Sequence, residues 1–341
     1  MAESLPEVFG RRFLLAHLLP AVAFVAAMIL IFGGTEKLIS VAEAGLEDAP
    51  MGIGILVALW ILALLLLALN RTITRLLEGY GSANPLRALK FLEARSFRKL
   101  TLDLEAVEKE AAAAKGDLTV KTKARRNKLH RQRACRFPDG ERWLLPTSFG
   151  NTIRSFEVYP RVMYGMEAID SWFRLTAVLP KEFLGSVDDA KAQVDLWLNV
   201  WFLSSVVACI GVASLALQHG PVALHDVAVD LGLAVSAKLT AAAAAALAAI
   251  GYWRAVRAAE QWGHWVKAAF DLFRSTLAQQ LGLKRDMRLA ESRRFWNLMS
   301  RALAFAEPKR LQDLEAEFQD WKALGAKAKE PAPGGAASDE D

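Results

Sequence analysis

Cysteine is nearly absent from this sequence. Only Cys135 and Cys209 occur in 341 residues, one in a run of arginines and the other inside an apolar block, so a disulfide framework is excluded and both thiols are expected free. Catalytic signatures are missing too. The chain contains no HExxH, GxSxG, P-loop or CxxC pattern. Its five histidines, at 17, 130, 219, 225 and 264, are scattered, and His219 with His225-Asp226 is a weak metal cue. These absences argue against an enzyme, and no cofactor or metal is implied.

Charge is the third absence, and it is local. Hydrophobic residues make up 53% of the chain and charged ones 23%, an unusual pair of values for one soluble globule. Segregation explains them. Spanning about 30 Å of hydrocarbon at about 1.5 Å per residue takes about 20 apolar residues. Phe13 to Phe32 meets that length, interrupted by His17 and Pro20; Met51 to Leu69 and Leu196 to Leu217 meet it without a single charge. Val227 to Trp253 is the fourth block, with Asp230 near its start and Lys238 near its middle. The first block is longer than a signal-peptide core and lacks a small-x-small cleavage site, so it reads as a retained span.

Basic residues distribute unevenly around these blocks. Residues 33–50 hold Lys37 against Glu36, Glu43, Glu47 and Asp48, and Gln218 to Asp226 has no Lys or Arg. Residues 70–195 carry 23 Lys and Arg against 16 Asp and Glu, and 15 basic residues against 13 acidic ones follow Trp253. Because basic loops stay inside, both termini and the 70–195 region are expected on the cytoplasmic side of the cell's inner (plasma) membrane. The net charge of +5 then means contact with anionic lipid before it means nucleic acid.

The polar regions are helical by pattern. Asn84-Pro85 opens a helix over 83–115, Gly116-Asp117 breaks it, and Val120 to Cys135 resumes, which makes a hairpin extending the second span. The second arm holds Lys121, Lys123, Arg125, Arg126, Lys128, Arg131, Arg133 and Arg136. No aromatics interleave with these bases, so a lipid- or partner-facing surface is favoured and nucleic acid is not expected as a partner.

After the Pro138-Asp139-Gly140 reversal, residues 143–182 are dense in aromatics, turn residues and single charges. This stretch reads as neither a linker nor a continuous amphipathic helix, and is expected to form a structured collar at the inner face. Within it stand Leu145-Pro146-Thr147 with Gly150-Asn151, Glu157 with Tyr159-Pro160, Tyr164-Gly165 followed by Glu167 and Asp170, and Trp172 with Arg174-Leu175. On these residues, and on Tyr252, Ala259 and Ala268 to Leu272, the chain resembles a group of uncharacterised bacterial four-span membrane proteins. The resemblance implies the four-span architecture and brings no reaction, ligand or catalytic residue. Asn151, Glu157, Tyr159, Arg161, Tyr164, Glu167, Asp170, Trp172 and Arg174 form the candidate interaction surface, with cross-pairing among the charged ones.

Lys238 is the candidate intramembrane site. It lies about 16 Å into the fourth block at helical rise, and an ionisable group there costs about 2.5–3.5 kcal/mol on insertion scales. Asp230 is about 12 Å away along the axis, too far for contact. Two readings stay open: Lys238 lines a water-filled, anion-favouring pathway, or the span starts deeper and Lys238 snorkels outward. Ala241 to Ala249 with Gly251 presents small side chains, which points to close helix packing within the chain or between protomers.

An amphipathic helix over Arg254 to Leu283, helices at Leu289 to Phe305 and Leu311 to Leu324, and a disordered tail over 325–341 complete the pattern. The expected fold is therefore all-α: a four-helix transmembrane bundle with a cytoplasmic helical hairpin, an aromatic-rich inner collar and C-terminal cytoplasmic helices. Its segments are 1–70, 71–195, 196–253, 254–324 and 325–341. The expected role is a cytoplasm-facing scaffold, sensor or effector that acts by protein interaction or self-association. Its partners would be the lipid bilayer, further copies of itself as a homo-oligomer, and a cytoplasmic protein. The alternative is an oligomeric channel or transporter with Lys238 on the pathway.

Overall fold

The computed structural model describes residues 10–114, 118–218, 231–281 and 289–307, with 309, 312 and 316, and every regular element among them is helical. Asp230, the Gly116-Asp117 break, the 219–226 loop with its histidines, and the 325–341 tail lie outside the described residues, as does most of the Leu311 to Leu324 helix. Four helices are long and apolar enough to cross a membrane. By contacts the chain divides into one unit of residues 1–156 and 180–268 and a second of residues 157–179 and 269–341.

The first span begins at Arg11–Phe13, passes through a π-helical turn at Leu14–Leu18, and continues as α1, Leu19–Glu47. Inside that turn Asn199 donates its side-chain amide to the Ala16 carbonyl at 2.8 Å, and the buried His17 ring stacks on Phe13. Polar contacts of this kind join helices where lipid offers no hydrophobic drive. α1 kinks at Gly34, whose φ of 68° and ψ of −173° fall where only glycine sits without strain.

Residues 33–50, expected as a loop, are almost wholly helical. Their Ala, Glu and Leu content favours helix, and the connection shrinks to Asp48 before α2, Ala49–Glu78. Pro50 sits in the first turn of α2, where its missing N–H would have no partner anyway. Gly79 ends α2 in the left-handed region (φ 88°), with its N–H on the Leu76 carbonyl and that of Tyr80 on Arg75. This is the pairing that satisfies a helix's last carbonyls.

A short 3₁₀ turn, Pro85–Leu89, leads into α3, Lys90–Ala113, which packs along α4, Val120–Arg136. Phe97, Leu100, Phe137 and Leu144 form the apolar core of this pair. Glu108 bonds Arg126 at 2.7 Å and His130 at 2.6 Å, while Arg133 lies 4.5 Å over the Phe97 ring and donates to the Pro138 carbonyl. The basic arm therefore spends part of its charge on internal contacts.

Next come α5 (Ser148–Tyr164), α6 (Ala168–Thr176), α7 (Lys181–Gln218), α8 (Leu231–Gln280) and α9 (Leu289–Phe305). α7 and α8 approach closely: a Cβ on Gly251 would lie 2.9 Å from the Trp201 backbone nitrogen, and one on Gly211 would lie 2.6 Å from Ala241 Cβ. Ala241, Ala244 and Ala255 are buried on this seam, whereas Ala242, Ala245, Ala246 and Ala249 are exposed. Only a minority of the alanine run thus packs within the chain. Arg12, at the start of the first span, bonds Asp189 at 2.6 Å and the Gly185 carbonyl at the start of α7. Arg254 lies 4.9 Å over the Trp197 ring. The charged ends of spans one, three and four accordingly meet at one end of the bundle.

Candidate functional site

The Leu145-to-Asn151 motif builds a clamp on the end of α2. Thr147 precedes α5, accepts from the Gly150 N–H at 2.9 Å, and donates its hydroxyl to the Leu77 carbonyl at 2.6 Å. It is at once an N-cap and a tie across the fold. Gly150 lies against α2 with no room for a side chain, since a Cβ there would sit 2.8 Å from the Glu78 carbonyl oxygen. Asn151 accepts from the Leu145 N–H at 2.7 Å and donates to the Leu145 carbonyl and to Glu93, each at 3.0 Å. Ser148 donates to the other Glu93 oxygen at 2.6 Å.

Asn151 was expected on the interaction surface, and the structure corrects that: it is fully buried. Its amide satisfies a backbone turn that would otherwise be stranded away from water, so its role is internal. Glu93, the partner that sequence reasoning passed over, is the acid on the inward side of α3.

α5 runs unbroken through Pro160. The helix ends at Gly165, φ 73°, where a Cβ would overlap the Arg293 carbonyl on α9. Tyr159 and Tyr164, five residues apart and on different faces of the helix, nevertheless both reach the same acid. Tyr159 donates to both oxygens of Asp271, at 2.9 and 3.2 Å, and Tyr164 donates to Oδ1 at 2.7 Å. The Arg274 guanidinium lies 4.1 Å over the Tyr164 ring. Burial, with the Asp271 carboxylate as hydrogen-bond acceptor, pushes both phenols above their ordinary range. Asp271 was legible only as part of the Ala268 to Leu272 string.

Beside this cluster, Arg161 pairs with Glu167 at 3.3 Å. Both line a cavity of about 510 Å³ together with Asp170, Arg301, Phe305 and Glu307. Arg174 does not reach the Asp170 carboxylate; it donates to the Asp170 backbone carbonyl of its own helix at 2.7 Å. Trp172 packs on Phe270 with ring centroids 6.0 Å apart, and Glu157 is half-buried on α5. Tyr164, another expected surface residue, is buried. Two apolar side chains that sequence reasoning did not select stand outside: Ile169 is 62% exposed and Phe173, one turn on, 80%.

Lys238 is exposed on α8 and is not enclosed by the bundle of one chain. Among the described residues no group of three or more His, Cys, Asp or Glu is arranged to hold a metal ion. Compared with models of known protein families, with curated proteins and with solved structures, the chain matches none.

Proposed function

We propose that this chain is a multi-pass protein of the bacterial plasma membrane with both termini and its polar segments in the cytoplasm, acting as a scaffold, sensor or effector by binding protein or itself. The basic excess of the 70–195 region supports the orientation. The Arg12 and Arg254 contacts at one end of the bundle fit it.

One observation supports the role most directly. α6 buries Ala168, Ser171 and Leu175 and turns Ile169 and Phe173 outward, on either side of the cavity-lining Asp170. Leaving two large apolar side chains in water forgoes about 1.5–3 kcal/mol each relative to full burial. An apolar pair beside a charged rim is the composition of a binding surface, with an aromatic anchor at its centre.

A second reading, oligomeric transport, is supported by exposed Lys238 and the exposed alanines of α8, which an assembly of copies could enclose. One experiment separates the two. A photoreactive residue at position 173, in intact cells, is expected to yield an adduct heavier than the 37.4 kDa chain, and Ile169→Asp is expected to abolish it. Absence of an adduct at 173, with dimer formation from a probe at position 245, would favour the oligomeric pathway instead.

A further inference from the structure

Where α2 ends, the chain turns through two glycines with positive φ, Gly79 at 88° and Gly81 at 96°. The turn is held from within. Asn84 donates to the Leu76 carbonyl at 2.7 Å and the Tyr80 carbonyl at 3.0 Å, while its oxygen accepts from the Leu86 N–H at 2.9 Å. The facing wall, residues 144–146, is equally fixed. Thr147 and Asn151 anchor it, and Pro146 lies so near Gly79 that a Cβ there would sit 2.7 Å from the ring.

Between these walls is a cavity of about 420 Å³ lined by the Gly79-to-Ser82 turn, Arg87, Lys90 and residues 144–146. Its size falls within the range of about 300–1,000 Å³ typical of small-molecule sites. Arg87 and Lys90 are the charged groups of the lining, and no acid contributes to it. Neither forms an ion pair among the described residues, and the Arg87 hydrogen bond to the Ser82 carbonyl is long, at 3.5 Å. Glu93, one turn beyond Lys90, is already taken by Ser148 and Asn151. Two exposed cations thus line a preformed, hydroxyl-bearing pocket that has no acid in its lining. A guanidinium and an ammonium together are the usual donors to a phosphoryl group.

We propose that this cavity binds a phosphate group, carried by a soluble molecule or by a lipid headgroup. Gly79 follows the last apolar residue of the second span, Leu69, by ten residues, about 15 Å of helix. The headgroup layer is only about 5–8 Å deep. The site therefore opens beyond that layer, within reach of soluble ligands and of headgroups that extend a phosphate outward. It shares no residue with the 157–179 surface, so it stands or falls apart from the interaction reading.

The test uses the full chain in nanodiscs. In discs of phosphatidylcholine alone, inorganic pyrophosphate is titrated calorimetrically; in discs containing phosphatidylglycerol, retained anionic lipid is counted by native mass spectrometry. Binding in the first arm identifies a soluble source and in the second a lipid. In whichever arm binds, Arg87→Gln with Lys90→Gln should weaken it about a hundredfold or more, since each lost charge-assisted bond is worth about tenfold or more. Arg95→Gln, an exposed cation outside the pocket, should leave binding unchanged. Binding that is absent from both arms, untouched by the double substitution, or equally reduced by Arg95→Gln overturns the proposal.

Discussion

Asn151→Ala should destabilise the protein by about 3 kcal/mol, among the largest losses from any single substitution outside the spans. The deletion strands the Leu145 N–H and carbonyl, and removes one donor from Glu93. Each buried polar group left without a partner costs about 1–3 kcal/mol. The half-buried Leu145 turn recovers some of this by admitting water. Asn151→Asp would keep the acceptor for the Leu145 N–H, but it removes the donor to Glu93 and sets a second carboxylate against it. Thermal unfolding of the detergent-solubilised chain measures both. An Asn151→Ala protein within about 0.5 kcal/mol of the parent, the range of ordinary surface substitutions, would mean that the clamp does not hold α5 to α2.

Asp271→Ala comes second, with an expected loss of about 2–3 kcal/mol. Two phenol hydroxyls share this carboxylate, and bonds to a charged acceptor are worth about 1.5–3 kcal/mol each, discounted here because Asp271 is half-exposed. Asp271→Asn keeps a carbonyl oxygen for one phenol and should lose about half as much. A pH signature accompanies it. Tyr159 and Tyr164 have folded pKa values raised above the ordinary value of about 10. Their contribution is therefore complete below that value and declines as pH rises above it toward the folded pKa. The parent protein should lose stability steeply in alkali, and Asp271→Ala should flatten that part of the profile. Parallel alkaline profiles for the two proteins would falsify the tyrosine–aspartate assignment.

The spans were legible because a bilayer imposes a one-dimensional demand. About 20 consecutive apolar residues are needed whatever the rest of the chain does, so a window read along the sequence finds them. The α3–α4 pair was legible for a related reason: strong helix formers surround a single break, and Asn84 and Thr119 are the short polar residues that cap helix starts. The 33–50 stretch misled because its acids and glycines resemble a loop. The local preference of Ala, Glu and Leu prevailed, and the one residue with non-helical backbone angles, Gly34, was absorbed as a kink. The 143–182 stretch is, as its turn residues suggested, not one continuous helix: it divides into α5 and α6 at Gly165. α5 itself accommodates Pro160 at the loss of one backbone bond.

By itself the sequence determined which segments are apolar enough for hydrocarbon, that the regular structure is helical, and that basic charge collects on one side of the spans. These properties follow from neighbours along the chain. Only tertiary structure decided that Asn151 is internal, that Glu93 is its partner, and that Tyr159 and Tyr164 share an aspartate more than a hundred residues away. It alone decided that Lys238 is exposed, and that Arg87 and Lys90 face residues 144–146 across one cavity. Such pairings depend on how helices cross in space, and a contact between distant residues leaves no period or composition for a local reading to find.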